Sequence, residues 1–429
     1  MVTISSWGRL ESSKHDVLSL TNRNDVSRML HNNKPGLAYG MGRSYGDVCL
    51  NPGGILWKTT GLNHFISFDE YSGRLVCEAG ILLHDIHKLV IPRGWMLPVT
   101  PGTQFVTVGG AIANDVHGKN HHVFGTFGNH IHKIKLLRTN GEVLECGPQQ
   151  QKEWFAATVG GLGLTGVILT AEIQLRPIKS PWLTTEIIPY ANLDELFKLT
   201  DNSQDYWEYT VSWMDCSLRR GIFMRANHTD YCDLDKPYKR SMTVPIISPF
   251  SLMNKFTLNL FNRAYFNIKK RQFGHSIKHY QSFLYPLDTL LEWNRIYGPK
   301  GFYQYQSMVP YSVGINATQA MLKEIGRSYS GSFLALLKTF GNQNSAGMLS
   351  FPQPGVTLAV DFPNKGLKTL KLFERLDAIV QEAGGRIYPA KDARMPSNLF
   401  ELGYPRLSEF LLYRDPGISS AMSRRLMGQ

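Results

Sequence analysis

A chain of 429 residues with 43% hydrophobic residues and no low-complexity tract is typical of a globular protein with two or three domains. The N-terminal residues 1–20 lack the basic and apolar regions of a signal peptide, and no apolar run reaches the about 20 residues of a membrane span. Its five cysteines are widely spaced and form no CxxC pair, which excludes the usual zinc and disulfide patterns and favours a reduced, cytoplasmic setting.

The formal net charge of +12 is concentrated in one part of the chain. Residues 236–287 contain nine Lys or Arg and no Asp or Glu. Basic surfaces of this kind favour nucleic acid, anionic lipid or phosphorylated ligands. The position of the charge therefore says more about partners than the overall isoelectric point does.

The first informative motif is the glycine-rich loop Gly40–Asp47, which follows a short apolar strand and a weak helix at 21–31. A dinucleotide fold of the Rossmann type needs a helix after the glycines, and Pro52-Gly53-Gly54 comes too soon for one. We therefore expect a phosphate-holding loop in which Arg43, Ser44 and Tyr45 supply donors. An ordinary glycine turn is the alternative.

The second motif is the segment Thr107–His122, which follows a predicted helix at 82–89. Gly109 and Gly110 open a short helix, and free N–H groups at a helix start can hold phosphate oxygens. This arrangement predicts a seat for a dinucleotide cofactor. The closing His117–His122 cluster has no Asp or Glu at ligand spacing, so we expect no metal there.

Alternating strands and helices continue to the end of the chain. Strands at 131–137 and 167–175, the hairpin signal Asn140-Gly141 and a helix at 154–159 predict an α+β domain that ends near Pro177. A boundary at 178–181 then precedes a second sheet. Its predicted strands are 184–189, 206–214, 221–225, 301–310, 332–340, 355–362 and 386–391, with helices at 192–200 and 367–384 and a helical tail at 401–429.

Together these motifs resemble the FAD-binding flavoproteins of the vanillyl-alcohol oxidase and p-cresol methylhydroxylase type. Within that superfamily the chain is similar to the decaprenylphosphoryl-ribose 2'-oxidases, the flavin subunits of a bacterial 2'-epimerase that makes an arabinose donor. The residues that carry the resemblance are Gly40–Asp47, Pro101-Gly102-Thr103, Thr107–Ala111, His117–His122, Gln304-Tyr305-Gln306, Leu349–Pro352, Val360–Pro363 and Tyr388–Asp392.

The resemblance implies an α+β, two-domain FAD-binding fold with an antiparallel-sheet substrate domain. The FAD-binding domain would comprise residues 1–178 and 386–429, and the substrate domain residues 179–385. FAD would bind without a covalent link, at Tyr39, Gly40, Gly42, Arg43, Ser44, Tyr45, Gly46, Asp47, Gly102, Thr107, Val108, Gly109, Gly110, Asn114, Asp115, His117, Ile168 and Tyr388.

The resemblance also implies roles for cleft side chains. Lys391, His117 and Tyr45 would be catalytic, with Lys391 the base or hydrogen-bond partner of the substrate hydroxyl. A lysine can act as a base only where burial or a nearby cation lowers its pKa. Pairing of Lys391 with Asp392 or Asp361 is the alternative. The substrate would contact Lys119, Gln304, Gln306, Lys338, Thr357, Ala359 and Lys391.

The expected reaction is oxidation of a sugar secondary hydroxyl, the 2'-hydroxyl of a polyprenylphosphoryl-ribose, by hydride transfer to FAD. A partner reductase that uses NAD(P)H would complete the epimerisation. The alternative enzyme is an oxygen-using oxidase of free alditols or aldonolactones. A nucleic-acid or membrane binder without turnover would have no use for Lys391, Gln304 and Gln306 together, and we expect no nucleic-acid partner.

Two features qualify these expectations. The best-known protein of this type has a cysteine at the position of Ala359 and an asparagine at that of Thr357, so the pocket wall differs here. The basic, aromatic segment 236–280 suits a lipid tail and an anionic head group, which predicts a mobile flap at the inner face of the plasma membrane. A core helix with solvated charges is the alternative.

Overall fold

The protein is an α+β chain whose computed structural model describes residues 1–31, 34–216, 218–231, 241–328 and 332–428. Its N-terminal part contains two sheets. The first has the order β1-β2-β4-β3, with parallel pairs β2/β4 and β3/β4, and comprises β1 (Val2–Ser5), β2 (Ser12–Ser19), β3 (Gly36–Tyr39) and β4 (Ile55–Lys58).

The second N-terminal sheet is antiparallel and has the order β5-β6-β10-β8-β9. It comprises β5 (Phe65–Asp69), β6 (Arg74–Glu78), β8 (Ile131–Leu137), β9 (Val143–Cys146) and β10 (Val167–Gln174), while β7 (Trp95–Met96) pairs with β11 (Arg176–Pro177). The predicted strands 131–137 and 167–175 and the hairpin at Asn140-Gly141 are confirmed.

A large antiparallel sheet follows, in the order β16-β12-β14-β13-β19-β20-β18-β21. Its strands are β12 (Trp182–Tyr190), β13 (Tyr209–Asp215), β14 (Arg220–His228), β16 (Gly274–His279), β18 (Phe302–Val309), β19 (Ala335–Phe340), β20 (Gly355–Pro363) and β21 (Arg386–Ile387); β15 (Met242–Thr243) pairs separately with β17 (Leu290–Leu291). Predicted strand 386–391 is therefore too long, because residues after Ile387 turn away from the sheet.

Strand alternation divides the large sheet into a core face and a polar face. Side chains two residues apart share a face, so Leu358 and Val360 lie in the main core. The alternate residues Thr357, Ala359 and Asp361 therefore lie on the opposite face of β20. That polar face carries Gln304, Gln306, Lys338, Thr357, Ala359 and Asp361, brought together by the registers Gln304↔Asp361, Gln306↔Ala359 and Lys338↔Thr357.

The described helices are mostly short. They are α1 (Val26–Leu30), α2 (Leu83–Val90), α3 (Val108–Ala113), α4 (His121–Phe124), α5 (Lys152–Thr158), α6 (Leu193–Asp201), α7 (Lys255–Arg271), α8 (Tyr280–Leu284), α9 (Gly314–Arg327), α10 (Leu367–Glu382), α11 (Ser397–Gly403), α12 (Leu407–Leu411) and α13 (Ala421–Met427). The helix predicted at 21–31 shrinks to α1, which has no side-chain cap.

The helical tail predicted at 401–429 is corrected to three short helices. Pro405 separates α11 from α12, and Pro416 precedes α13. Proline has no N–H to donate and disfavours helical geometry in the residue before it. The breaks return the chain to the first sheet, where Ile418 bridges Gly36 and α13 packs on the 3₁₀ turn Asp47–Cys49.

The predicted flap lies partly within the described residues. Residues 236–240 fall outside them, whereas 241–280 form β15, α7 and β16. The inner side of α7 packs through Phe266 against Trp213 and Ile222 of the large sheet. Its outer side leaves Phe256 and Leu260 largely exposed, at 77% and 61%. The helix is thus neither a buried core helix nor a purely polar surface.

Candidate active site

One deep cleft lies between the N-terminal sheets and the polar face of the large sheet. It contains about 2010 Å³ of space that protein atoms do not fill, including its open mouth. Its lining includes three predicted groups of residues: the glycine-rich loop, the start of α3, and the side chains of β18, β19 and β20 with Lys391. The predicted cofactor motifs and substrate residues are therefore in one cavity.

The loop after β3 presents main-chain donors to this cleft. Within the described residues, the N–H groups of Gly42, Arg43 and Ser44 have no partner on the chain. Gly42 has φ +59°, a conformation that favours glycine. The Arg43 guanidinium lies 4.2 Å from the ring centre of Trp7. Consecutive free N–H groups beside a cation suit an anionic phosphate.

The start of α3 differs from the expectation of free donors. The Val108 N–H donates to Ile81 O at 2.9 Å and the Gly109 N–H donates to Ala79 O at 2.7 Å. The Gly110 N–H donates to the Thr107 hydroxyl at 3.2 Å, which caps the helix. The main-chain donors predicted here are already used, so this segment contributes shape to the cleft and the loop at residues 42–44 contributes the donors.

The shape of this wall fits a dinucleotide. A Cβ on Gly40 would come within 2.5 Å of the Thr107 hydroxyl, so only glycine allows the loop and α3 to approach so closely. The Asn114 side chain donates to Gly110 O at 2.8 Å, and its buried Oδ1 has no partner among the described residues. An unused acceptor beside unused N–H donors matches a ligand that carries hydroxyls and phosphates.

Lys391 stands at the opposite wall, in a turn that follows β21. Its N–H donates to Tyr388 O at 3.1 Å, which fixes the turn. Its Nζ donates to Gln304 Oε1 and lies 4.1 Å from the ring centre of Tyr45. Among the described residues it forms no ion pair with Asp392 or Asp361, so pairing does not use up this lysine.

The cleft lowers the basicity of its lysines. Burial, with a further contribution from Lys338, holds the pKa of Lys391 below the ordinary lysine value, while Asp361 opposes the shift. Burial lowers the pKa of Lys338 to about 8. Burial also raises the pKa of Tyr45 well above its ordinary value, so that hydroxyl stays protonated. Lys391 and Lys338 can therefore both exchange a proton well below the ordinary lysine range, and Lys391 is the one held against Gln304 and Tyr45.

His117 joins the two walls. Gln306 Nε2 donates to His117 Nε2 at 3.1 Å, and the buried His117 Nδ1 has no partner among the described residues. Burial first, then Lys338, His121 and Lys391, keep its pKa well below the ordinary histidine value. Its ring lies 5.4 Å from that of Tyr388, whose hydroxyl donates to Asn114 O at 2.9 Å. His117 is therefore a neutral imidazole at the centre of the cleft.

Most predicted site residues line the cleft. They are Gly40, Gly42, Arg43, Ser44, Tyr45, Gly102, Thr107, Gly109, Gly110, Asn114, His117, Ile168, Gln304, Gln306, Lys338, Thr357, Ala359, Tyr388 and Lys391. The lining does not include Tyr39, Gly46, Asp47, Val108, Asp115 or Lys119.

These six residues support the lining from behind. The Tyr39 hydroxyl lies under Gly42, Gly46 packs against Asp392 O, and Val108 is fully buried. Asp47 accepts from Arg425 at 2.8 Å, and Asp115 accepts from the Gly128 N–H at 2.9 Å. Lys119 Nζ donates to the carbonyls of Phe283 and Leu284, which holds it away from the cleft.

Sequence reasoning missed one part of the lining. Trp7 and the segment 287–293 close the cleft above the glycine-rich loop, with Asp288 and Glu292 near Arg43. Asp288 Oδ2 accepts from the Gln104 N–H at 3.0 Å. The one available signal was that Asp288 ends the long stretch without acidic residues.

Comparison with known proteins agrees with this geometry. Residues 17–147 match the model of the FAD binding domain. The chain is 36% identical to the decaprenylphosphoryl-beta-D-ribose oxidase of Mycolicibacterium smegmatis, over 99% of this chain and 97% of that protein. This chain belongs to the same family of flavoproteins.

The flavoprotein is thus an FAD-dependent oxidoreductase that acts on a CH–OH group. A more distant similarity links it to L-gulonolactone oxidase of Mus musculus, 29% identical over 41% of this chain and 40% of that enzyme. Among the described residues, no helix has the length and apolar character that a membrane span requires.

Proposed function

We propose that this flavoprotein oxidises the 2'-hydroxyl of a polyprenylphosphoryl-ribose to a keto-sugar, as the first half of an epimerisation. The observation that carries the proposal is Lys391, held by Gln304 beside a cleft wall of amides and a second lysine. The family relative that matches 99% of this chain is named for a ribose of this kind. A reductase that uses NAD(P)H would complete the epimerisation as a separate partner.

The cofactor would lie along the glycine side of the cleft, in a fold of the vanillyl-alcohol oxidase type. The free N–H groups of residues 42–44 and Arg43 suit its pyrophosphate, and the Asn114 Oδ1 acceptor suits a hydroxyl or a ring N–H. His117, Ile168 and Tyr388 would contact the flavin. We infer non-covalent binding, and a division into residues 1–178, 179–385 and 386–429, with the return to the first domain beginning after β21.

Lys391 would take the proton as the alcohol becomes a ketone. Bound FAD supplies the acceptor for the hydride that leaves the carbinol carbon. The hydroxyl proton passes to the neutral Nζ of Lys391, and the oxygen lone pair forms the C=O bond. The lowered pKa of Lys391 supplies the neutral amine near physiological pH. Tyr45 places its ring against Nζ, and His117 stays neutral and positions Gln306.

The remaining polar side chains suit a sugar phosphate. Gln304 and Gln306 offer amides to ribose hydroxyls, and the Lys338 ammonium suits the phosphate. Thr357 already uses its hydroxyl, because it donates to Ser307 O at 2.9 Å. Thr357 and Ala359 therefore shape this wall more than they bind. Lys119 would act only indirectly, since it influences Lys338 but donates to main-chain carbonyls outside the lining of the cleft.

Anaerobic mixing of the purified yellow protein with substrates tests the proposal. Decaprenylphosphoryl-ribose should bleach the flavin absorbance near 450 nm, whereas free alditols and aldonolactones should not. Bleaching by alditols or lactones alone would contradict the proposal and favour the second candidate, an oxygen-using oxidase. The similarity to L-gulonolactone oxidase, which covers less than half of either chain, is the observation in favour of that candidate.

We further propose that residues 241–280 contact an anionic membrane surface, as the lipid-linked substrate would require. Five exposed side chains of this segment are large and apolar: Met242, Ile246, Phe250, Phe256 and Phe273, each at least 66% exposed. Exposed basic residues lie among them, including Arg263, Lys270 and Arg271. Apolar side chains beside cations suit the interface of an anionic bilayer.

Sedimentation with liposomes tests this surface. The protein should sediment with vesicles that contain phosphatidylserine and less with neutral phosphatidylcholine, and salt should weaken binding. Phe256→Ser with Leu260→Ser should reduce sedimentation, whereas Leu412→Ser, an exposed leucine far along the chain, should not. Equal sedimentation of all variants, or none with anionic vesicles, would contradict the membrane contact.

A further inference from the structure

Asp361 is a buried carboxylate with an unusual set of partners. It lies on β20 directly opposite Gln304 of β18 and is fully buried. Its Oδ1 accepts from Gln304 Nε2 at 2.6 Å, and its Oδ2 accepts from the Tyr297 hydroxyl at 3.3 Å. Among the described residues it forms no ion pair. Burial raises the pKa of Asp361 above the ordinary carboxyl value because a buried charge is costly, and Gln304, Lys391 and Tyr297 oppose that shift.

The Gln304 amide has only one orientation that satisfies both of its neighbours. A carboxylate only accepts, so Asp361 must face the amide NH₂, and the amide oxygen then faces Lys391, whose Nζ donates to it in either protonation state. Both contacts are present, and they are compatible with the same orientation. The chain Asp361–Gln304–Lys391 is therefore fixed from both ends, which a lone glutamine on a cleft wall would not be.

We propose that Asp361 is a positioning residue for the oxidation: through Gln304 it fixes the Nζ of Lys391 so that the amine lone pair faces the substrate hydroxyl. One N–H of a neutral Lys391 donates to Gln304, and Tyr45 covers one side of the amine. The direction toward the cleft is then left for the lone pair. The inference rests on the role of Lys391 given under the proposed function.

The charge of Asp361 also acts on this amine. The other groups that face the pair are Lys338, His117, and the hydroxyls of Tyr45 and Tyr297. The Asp361 anion favours the ammonium form, so it raises the pKa of Lys391 against the effect of burial. Removing the charge should lower that pKa, and removing the hydrogen bond should free the amide to rotate.

Two substitutions separate these effects. Asp361→Asn keeps an acceptor for Gln304 but removes the charge, so the acid limb of the flavin-reduction rate should move to lower pH by about one unit or more. Asp361→Leu removes both, so the maximal rate should also fall about tenfold. Asp377→Asn is the matched control, because this half-buried carboxylate pairs with Arg394 and Tyr305 and does not touch Gln304.

The test measures the rate of anaerobic flavin reduction by decaprenylphosphoryl-ribose across pH 5–10. In parallel, trace acetylation followed by mass spectrometry gives the titration of Lys391 and Lys338 in each variant, without substrate. In Asp361→Asn the titration of Lys391 should move to lower pH, and that of Lys338 should not. Asp377→Asn should lower thermal stability but leave both titrations and the pH profile unchanged.

Unchanged pH profiles and Lys391 titration in Asp361→Asn would overturn the inference, even if the variant were less stable. If the wild-type flavin were not reduced by the lipid-linked sugar, or if Lys391→Ala were reduced normally, the proposed function would fail instead. The acetylation experiment needs no substrate, so it still reports whether Asp361 acts on Lys391.

Discussion

The two walls of the cleft are built in different ways. The glycine wall, Gly40–Asp47 with Thr107–Gly110, depends on main-chain geometry: close approaches without a Cβ and free N–H groups at residues 42–44. The lysine wall, Lys391 with the polar side chains of β18, β19 and β20, depends on the identity of side chains held by a regular sheet. Substitutions should therefore separate cofactor binding from chemistry.

The largest expected effect is on the lysine wall. Lys391→Ala removes the proposed base, so anaerobic flavin reduction by the lipid-linked sugar should slow by about 10²–10⁴-fold. Bound FAD should remain at wild-type occupancy, because Lys391 supplies no part of the glycine wall. Stopped-flow absorbance measures the first quantity and the flavin-to-protein absorbance ratio the second. The control is Lys323→Ala, which removes an exposed lysine on α9. If the flavin of Lys391→Ala were reduced at the normal rate, Lys391 would not be the base.

Substitution in the glycine wall should instead cause loss of bound FAD. A Cβ on Gly46 would lie 1.6 Å from Asp392 O, a main-chain atom that cannot move without shifting the Lys391 turn. Gly46→Ala should therefore be purified with little FAD and a lowered melting temperature. Gly326→Ala is the matched control, since its Cβ would meet no atom within 4 Å and alanine favours the helix. Full FAD occupancy of Gly46→Ala would show that the glycine wall tolerates a Cβ.

An intermediate effect is expected at the clamp that joins the walls. Arg425 on α13 donates to Asp47 at 2.8 Å and lies 3.0 Å from Asp392, and both carboxylates are buried. Arg425→Met leaves the buried Asp47 carboxylate without its cation and Asp392 with only Arg394 at 3.8 Å, so the free energy of unfolding should fall by about 3–5 kcal/mol. Denaturant unfolding measures the change. The exposed pair of Arg406 with Glu409 gives the comparison, since Arg406→Met should cost less than about 1 kcal/mol.

The difference between the walls also explains what the sequence could predict. Motifs such as Gly40–Asp47 and Asn140-Gly141 act over a few neighbouring residues, so their turns and the strand 131–137 follow from local rules. The registers between strands do not follow from local rules. The contact of Gln304 with Asp361 joins residues 57 positions apart, and Arg425 reaches Asp47 across 378. The cleft residues of the lysine wall were predicted from the family resemblance. The contacts of Arg425 and the chain Asp361–Gln304–Lys391 are visible only in the structure.

Even the local rules failed where tertiary contacts competed. The N–H groups of Val108 and Gly109 looked available from sequence because helix starts leave donors unpaired. In the structure they complete bridges to Ile81 and Ala79, which belong to the segment after β6. The N–H groups of the loop at residues 42–44, by contrast, meet no acceptor in the part of the chain that the structure describes. Sequence alone could not tell which of two glycine-rich segments would be paired.

A smaller effect concerns Lys119, the lysine behind the lysine wall. Burial, with Lys338, lowers its pKa to about 7. Between pH 7 and the ordinary lysine pKa of about 10.4, the folded state then binds fewer protons than the unfolded state, so stability should rise with pH. Lys119→Met should flatten this rise by about 1 kcal/mol between pH 7 and 9. Denaturant unfolding at both pH values checks it, with Lys88→Met, an exposed lysine on α2, as control.

The smallest expected effect is at Ala359, where this flavoprotein departs from the best-known protein of its type. Ala359 lines the cleft opposite Gln306 and contributes no polar atom. Ala359→Cys adds one sulfur to a wall that already has room beside it, so the flavin-reduction rate should change by less than about twofold. A maleimide should label position 359 in the variant, as peptide mass spectrometry would show, while the buried Cys77 and Cys146 stay unlabelled in both proteins. Neither the substitution nor its labelling should alter FAD occupancy, because Ala359 is on the lysine wall.

A large loss of rate in Ala359→Cys would mean instead that this wall recognises the sugar through its shape at Ala359. The side chains of the lysine wall would then be as tightly constrained as the glycines opposite.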